Sequence, residues 1–275
     1  MTVAPEELLD VAVAAARAGG AVLVEGLTRP KKVEQKSERA SIVTWADVTA
    51  QAEIFAVIRA AYPEHTLLGE EGEGGGTDAG HVWLVDPLDG TSNYAAGIPF
   101  ACSSVAVRDE AGVAAGAIFE PFREELFAAA RGRGAWVDDG RGEVRRLAVS
   151  DTRSIERALV CTGLQTDVPS EIDAFARRIV ALHRGTRGHR ALGSPALCLA
   201  YVAAGRIDAF LERDATYAWD VAAGSLMIAE AGGRCEDLDG GVLNLGPGLA
   251  NVLATNGTLH DDLFALVATA EAAQT

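Results

Sequence analysis

Apolar positions follow two rhythms along this chain. Residues 11–24 read VAVAAARAGGAVLV, a helix-like face, and Pro5, Glu6 and Glu7 stand where helix starts favour proline and acid. Thr44-Trp45-Ala46-Asp47 fits a capping box, and Ile54, Val57, Ile58 and Ala61 then recur at helical spacing up to Pro63. Between these helices, Arg29 to Ala40 is polar, holds all three lysines and reads as a loop or mobile strand pair. Glycines 72–76 read as a flexible loop before a buried strand at His81–Val85. Strand-like runs follow at 102–107, 113–119, 126–130 and 135–137, divided by glycines and charged pairs.

Near Ser150 the rhythm changes. A strand at 158–162 precedes a second capping box, Ser170-Glu171-Ile172-Asp173, which opens a helix through His183. Ser194-Pro195 predicts a helix with the serine hydroxyl at its cap and Gly205 past its end. A strand at 207–212, a helix at 219–231, a strand at 252–255 and a helix at 259–272 complete the pattern. No repeat or low-complexity linker interrupts it. The expectation is a compact mixed α and β protein, with an N-terminal half (1–150) carrying most candidate ligands and a C-terminal half (151–275).

Composition narrows the function. Apolar residues make up 49% of 275, which excludes intrinsic disorder. The net charge of −15 argues against duplex binding through phosphates, and no nucleic-acid partner is expected. The run His183–Arg190 reads as a solvated turn against this acidic background. The apolar stretch 11–24 is broken by Arg17, lacks a basic leader and is too short to span a bilayer, so no membrane segment is expected. Cys102, Cys161, Cys198 and Cys235 form no C-x-x-C pair and read as buried, reduced thiols of a cytoplasmic protein.

Chemistry concentrates in three segments: Gly69-Glu70-Glu71, Asp86-Pro87-Leu88-Asp89-Gly90-Thr91 and Trp219-Asp220. Asp86 ends an apolar strand, Pro87 stiffens the turn, and Asp89 can face the same point, with the Leu88 carbonyl beside it. Gly90 leaves room for a ligand, and a helix starting near Thr91 would offer free amides to phosphate. Glu70, Asp86, Asp89 and Asp220 are hard oxygen donors, suited to Mg²⁺ or Mn²⁺. Three divalent cations would neutralise these four carboxylates and a phosphate dianion together; two would leave a double negative charge. Taken singly, each segment also has a plain reading. Asp-x-x-Asp with proline and glycine is turn composition, Glu70-Glu71 suits a solvated charge pair, and Asp47 and Asp220 suit helix caps.

Together the segments resemble the inositol monophosphatase family of lithium-sensitive, metal-dependent phosphatases. The motifs are GEE at 69–71, WLVDPLDGTSNY at 83–94, WD at 219–220 and RALGSPALCLAYVAAGRIDAFLE at 190–212. The resemblance implies an α/β fold, a layered α/β/α/β/α sandwich, usually in a homodimer. It implies two or three Mg²⁺ held by Glu70, Asp86, Asp89, Asp220 and the Leu88 carbonyl. Glu70 and Thr91 would act in catalysis, Thr91 orienting the attacking water and Asp47 accepting the threonine hydrogen bond. Gly90 and Thr91 amides, with Asp89 and Asp220, would meet the substrate. Gly193, Ser194 and Pro195 resemble the family's sugar-contacting turn, and Glu212 its inositol-contacting glutamate. The chain departs from the pattern at Pro195, usually alanine, and by one extra residue within 213–218.

The implied reaction is Mg-dependent hydrolysis of a small phosphate monoester, inositol 1-phosphate first, without a covalent phosphoenzyme. The alternatives are a related sugar-phosphate, histidinol-phosphate or nucleotide 3′-phosphate phosphatase, or a non-catalytic regulatory protein that retains the fold.

Overall fold

The computed structural model describes residues 3–29, 33–35, 42–163, 169–213 and 215–272. In order, the elements are α1 (Pro5–Gly26), β1 (Val33–Gln35), β2 (Ile42–Thr44), α2 (Trp45–Ala61), β3 (His65–Gly69), β4 (Gly72–Gly75), β5 (Asp78–Asp89) and α3 (Thr91–Ala96). They continue with β6 (Cys102–Asp109), β7 (Gly112–Glu120), β8 (Glu125–Ala130), β9 (Gly134–Asp138) and β10 (Val144–Arg146). A short 3₁₀ turn (Ile155–Arg157) leads to β11 (Leu159–Thr162), α4 (Pro169–Gly185), β12 (Gly188–Arg190) and α5 (Pro195–Ala203). The last elements are β13 (Ala209–Glu212), α6 (Ala218–Glu230), β14 (Arg234–Glu236), β15 (Val252–Thr255) and α7 (His260–Ala272).

Two main sheets form, ordered β10-β9-β8-β7-β6-β5-β3-β4 and β12-β11-β13-β15-β14. Side-chain alternation sorts their faces into layers. Trp83 and Val85 of β5 face Leu8, Ala12, Ile54 and Ile58 of α1 and α2. Leu84 faces the other way, into a cluster with Leu197 and Leu199 of α5, Ala222 and Met227 of α6, and Phe210 of β13. Leu211, next to Phe210, points outward to Leu182 of α4 and Leu263 of α7. The result is the α/β/α/β/α sandwich that the resemblance implies, with α5 and α6 between the sheets.

Several local expectations need correction. Gly72–Gly75 forms β4, paired antiparallel with β3, where a flexible loop was expected. A side chain at Gly74 would strike Leu67 and Phe55, so close packing, invisible as apolar periodicity, makes this glycine strand. Residues 188–190 of the basic run form edge strand β12, parallel to β11. Within the polar stretch 29–40, Val33–Gln35 pairs with Ile42–Thr44, and the three lysines lie outside the described residues. Helix α4 starts at Pro169, which places Ser170 inside the first turn. All four cysteines are free, but Cys235 is only half-buried.

Candidate active site

A bulge in β5 creates the pair of aspartates. Asp86 pairs with Ser104 and Asp89 with Cys102, so three steps on β5 match two on β6. In a regular strand, residues three apart point to opposite faces. The extra residue cancels that inversion and turns Asp86 and Asp89 to the same side, the side of α5 and α6. The bulge is held from behind by Ser103, whose hydroxyl donates to the Pro87 carbonyl at 2.7 Å.

Glu70 follows the end of β3, its N–H donating to the Val85 carbonyl at 3.1 Å, and two helices deliver the other groups. Asp220 lies in the first turn of α6, where its Oδ2 accepts the Tyr217 N–H at 2.7 Å, so its capping role is present. Helix α5 shows a different arrangement from the one expected. The Ser194 hydroxyl does not cap its own helix; it donates to Oδ2 of Asp89. Asp89 in turn accepts the Ala196 N–H at 2.8 Å and so caps α5 from across the layer. A free carboxylate is a stronger acceptor than a hydroxyl and favours a helix N-terminus, which explains the exchange.

Thr91 begins the short helix α3, and Gly90 precedes it at φ 90°. A Cβ at Gly90 would lie 2.9 Å from the Phe100 carbonyl oxygen and 3.2 Å from that of Gly193, so both conformation and space require glycine. The Thr91 hydroxyl stands 3.1 Å from Asp47 Oδ1 and 3.0 Å from the Leu88 carbonyl oxygen. It has one proton for two acceptors, which leaves lone pairs to accept from a further group. Asp47 also accepts the Thr44 N–H at 2.7 Å, completing the expected capping box while reaching Thr91. Asp47 thus caps α2 and accepts from Thr91 at once.

The electrostatics are strained by design of the cluster. Burial raises Asp86 well above the usual carboxylate range, and the charges of Glu70, Asp89 and Asp220 push the same way. Burial also raises Asp220, with Asp89 and Glu70 adding to it. Burial raises Asp89 to about 7 despite its hydrogen bonds to Ser194 and the backbone of α5. Asp86 and Asp220 face one another closely enough that each bears on the other's ionisation. Asp47 is raised to about 6, again by burial, against the hydrogen bonds from Thr44.

Such a set is neutralised by protons or by cations, and its all-oxygen donors fit hard divalent ions. Among the described residues, no three His, Cys, Asp or Glu side chains are already drawn into a metal cage. The oxygens are turned instead to protein donors at Tyr217, Ser194, Ala196 and the Leu88 N–H, the last 3.0 Å from Asp86 Oδ1.

The turn at Gly193-Ser194 and the end of β13 are assembled separately. Gly193, at φ 75°, and buried Ser194 lie beside Gly90. Asn93 ties this turn to α3, donating to the Leu192 carbonyl at 2.7 Å and the Phe100 carbonyl at 2.9 Å. Glu212, at the end of β13, is buried, and burial followed by the charge of Asp89 raises it to about 8.

Sequence reasoning missed the residues that brace the site. Cys102 was read as an ordinary buried thiol, yet its Sγ lies 3.8 Å from Asp89 Oδ2. Ser104 donates to the Trp219 carbonyl at 3.3 Å, and Gln51 accepts the Glu71 N–H at 2.9 Å beside Glu70. One signal was available: Cys-Ser-Ser opens a strand that is otherwise apolar.

The model of the inositol monophosphatase family matches residues 4–272. This chain belongs to the inositol monophosphatase family. It is 36% identical over 263 residues to an inositol-1-monophosphatase of Synechocystis sp., covering 95% of this chain and 89% of the relative. It is 38% identical over 241 residues to the Nus factor SuhB of Pseudomonas aeruginosa, covering 86% and 87%. The structure of inositol monophosphatase from Anabaena (Nostoc) sp. superposes with a TM-score of 0.81 at 36% identity, covering 96% of each chain. Phosphatase activity on small phosphorylated substrates follows from this membership at the level of class. No helix among the described residues is long and apolar enough to cross a membrane.

Proposed function

We propose that this inositol monophosphatase family member is a Mg²⁺-dependent phosphomonoesterase that hydrolyses inositol 1-phosphate. One observation carries the reading: the β5 bulge turns buried Asp86 and Asp89 to one side, the side of α6 and Asp220, where burial and like charge hold all three carboxyls above their usual range. Glu70, Asp86, Asp89, Asp220 and the Leu88 carbonyl would hold two or three Mg²⁺. Bound Mg²⁺ supplies charge neutralisation and a water acidic enough to attack phosphorus at neutral pH. The Thr91 hydroxyl, its proton directed to Asp47 or the Leu88 carbonyl, accepts from the attacking water and aims it. Glu70 stands by to take the proton. The Gly90 and Thr91 amides hold phosphoryl oxygens, and Glu212 with the Gly193-Ser194-Pro195 turn meets the ring hydroxyls.

A panel of phosphate monoesters assayed with Mg²⁺ and with EDTA tests this. Inositol 1-phosphate should be preferred and turnover should vanish in EDTA; preference for fructose 1,6-bisphosphate, histidinol phosphate or a nucleotide 3′-phosphate overturns the substrate. Glu212→Ala should raise KM for inositol 1-phosphate about tenfold and spare glycerol 2-phosphate, because losing one buried polar partner costs ~1–3 kcal/mol. The homodimer expected of the family is tested by sedimentation, which separates one chain of 28.6 kDa from two. The name of the Pseudomonas relative, Nus factor, favours a second reading, a non-catalytic role in a larger assembly. It requires that an inert Asp86→Asn chain still replace the wild type in cells.

A further inference from the structure

Glu212 is followed directly by Arg213, whose Nε–H is 3.2 Å from Glu271 Oε1 and whose Nη2 is 2.8 Å from Asp239. The same Glu271 oxygen accepts from Arg178 Nη1 at 2.7 Å. Arg178 comes from α4 and is 2% exposed, with its guanidinium 5.8 Å from the Phe175 ring. One carboxylate on α7 therefore gathers a buried guanidinium from α4 and the residue next to Glu212. Exposed ion pairs contribute little, but a buried guanidinium requires its partner, so this junction is not interchangeable with a surface pair.

On its other flank, Glu212 leans against the end of β11. A Cβ at Gly163 would lie 2.8 Å from Glu212 Oε1. The position of the Glu212 carboxylate is thus bounded by the β11 backbone on one side and by the Arg213 anchor on the other.

We propose that Glu271 is a positioning residue for leaving-group selection: by drawing Arg178 and Arg213 onto one carboxylate, it fixes the end of β13 and with it the Glu212 side chain. The inference rests on the reading of Glu212 as a leaving-group contact. It assigns the choice of substrate partly to α7, a helix with no part in the chemistry.

The test compares inositol 1-phosphate with glycerol 2-phosphate in Glu271→Gln, Arg213→Gln, Arg213→Lys and Glu212→Ala, singly and combined. Glu271→Gln and Arg213→Gln should each raise KM for inositol 1-phosphate about fivefold, leaving its kcat and both glycerol 2-phosphate constants unchanged. Arg213→Lys, which keeps the charge, should recover most of the loss. On the Glu212→Ala background, Glu271→Gln should add nothing. Arg213→Gln leaves the Arg178–Glu271 pair intact, so it remains informative if Glu271→Gln folds poorly. Equal losses on both substrates, unchanged KM in Arg213→Gln, or additive losses on the Glu212→Ala background overturn the proposal. If Glu212→Ala spares both substrates, the reading of Glu212 fails and the clamp with it; if Glu212→Ala raises KM and Arg213→Gln does not, the clamp alone fails.

Discussion

The side of the site proposed to react and the side proposed to meet the leaving group are built differently. On the reacting side, Asp86 and Asp89 project from a central strand whose bulge is braced by Ser103, while Asp89 and Asp220 serve two helix starts. Each carboxylate is therefore also a structural group, and few substitutions there leave the frame untouched. On the leaving-group side, Glu212 stands at a strand end, anchored through neighbours on α4 and α7. The proposed chemistry sits between the sheets, and the proposed selection sits at the end of the central strand of the smaller sheet.

The comparison breaks first at Asp86. Asp86→Asn should abolish Mg²⁺-dependent phosphate release while the far-ultraviolet circular dichroism stays native, because a buried charge is lost and the shape kept. Retained turnover at saturating Mg²⁺ would remove Asp86 from the ligand set. Thr91→Ala comes next: kcat should fall about 10²- to 10⁴-fold with little change in KM, the scale of a lost proton-handling group. An effect on KM alone would make Thr91 a binding contact and move it to the selecting side.

Smaller effects sharpen the same division. Gly90→Ala should cost about 1–3 kcal/mol in urea unfolding, since alanine at φ 90° is strained and its methyl meets the Phe100 and Gly193 carbonyls. An unchanged midpoint would mean that the junction between the two sides is loose.

The pH dependence of the metal-free protein is the mildest test. Asp86 and Asp220 are raised, Asp89 stands at about 7 and Glu212 at about 8, against ~4 in the unfolded chain. The folded state then holds protons that the unfolded state has released, so stability falls as pH rises toward 8. His189 and His260, lowered by burial, act in the opposite sense only up to their ordinary range near 6.5, and Cys161, lowered by its hydrogen bond with Cys198, is the one thiol acting against the carboxyls above it, so about pH 6.5–8 is the window in which the raised carboxyls dominate. Scanning calorimetry in EDTA should show Tm falling across that window, and Mg²⁺ should flatten the fall by binding the folded state. A Tm that rises with pH would mean that the carboxylates are not confronting one another.

Much of the molecule was legible beforehand. The helices at 5–26, 45–61 and 260–272 and the strands of the large sheet follow from period and punctuation. The three acidic segments were legible only in combination, through their joint resemblance to one family, because each alone also reads as a turn, a charge pair or a helix cap. Strand β4 was not, since glycines carry no apolar signal and only Phe55 and Leu67 explain their presence. Cys102, Gln51 and Asn93 were overlooked because their partners lie 13, 20 and 99 residues away.

What the sequence determined by itself is therefore local: which segments are helix or strand, which faces are apolar, and which side chains are chemically capable. These depend on neighbours within a few residues, and period and propensity encode them directly. Tertiary structure alone decided that a one-residue bulge turns Asp86 and Asp89 to one side, that Asp89 displaces Ser194 as the cap of α5, and that Glu271 gathers Arg178 and Arg213. Each depends on the register or approach of chain segments distant in sequence. A change of one residue in pairing reverses where a side chain points, and no local pattern records it.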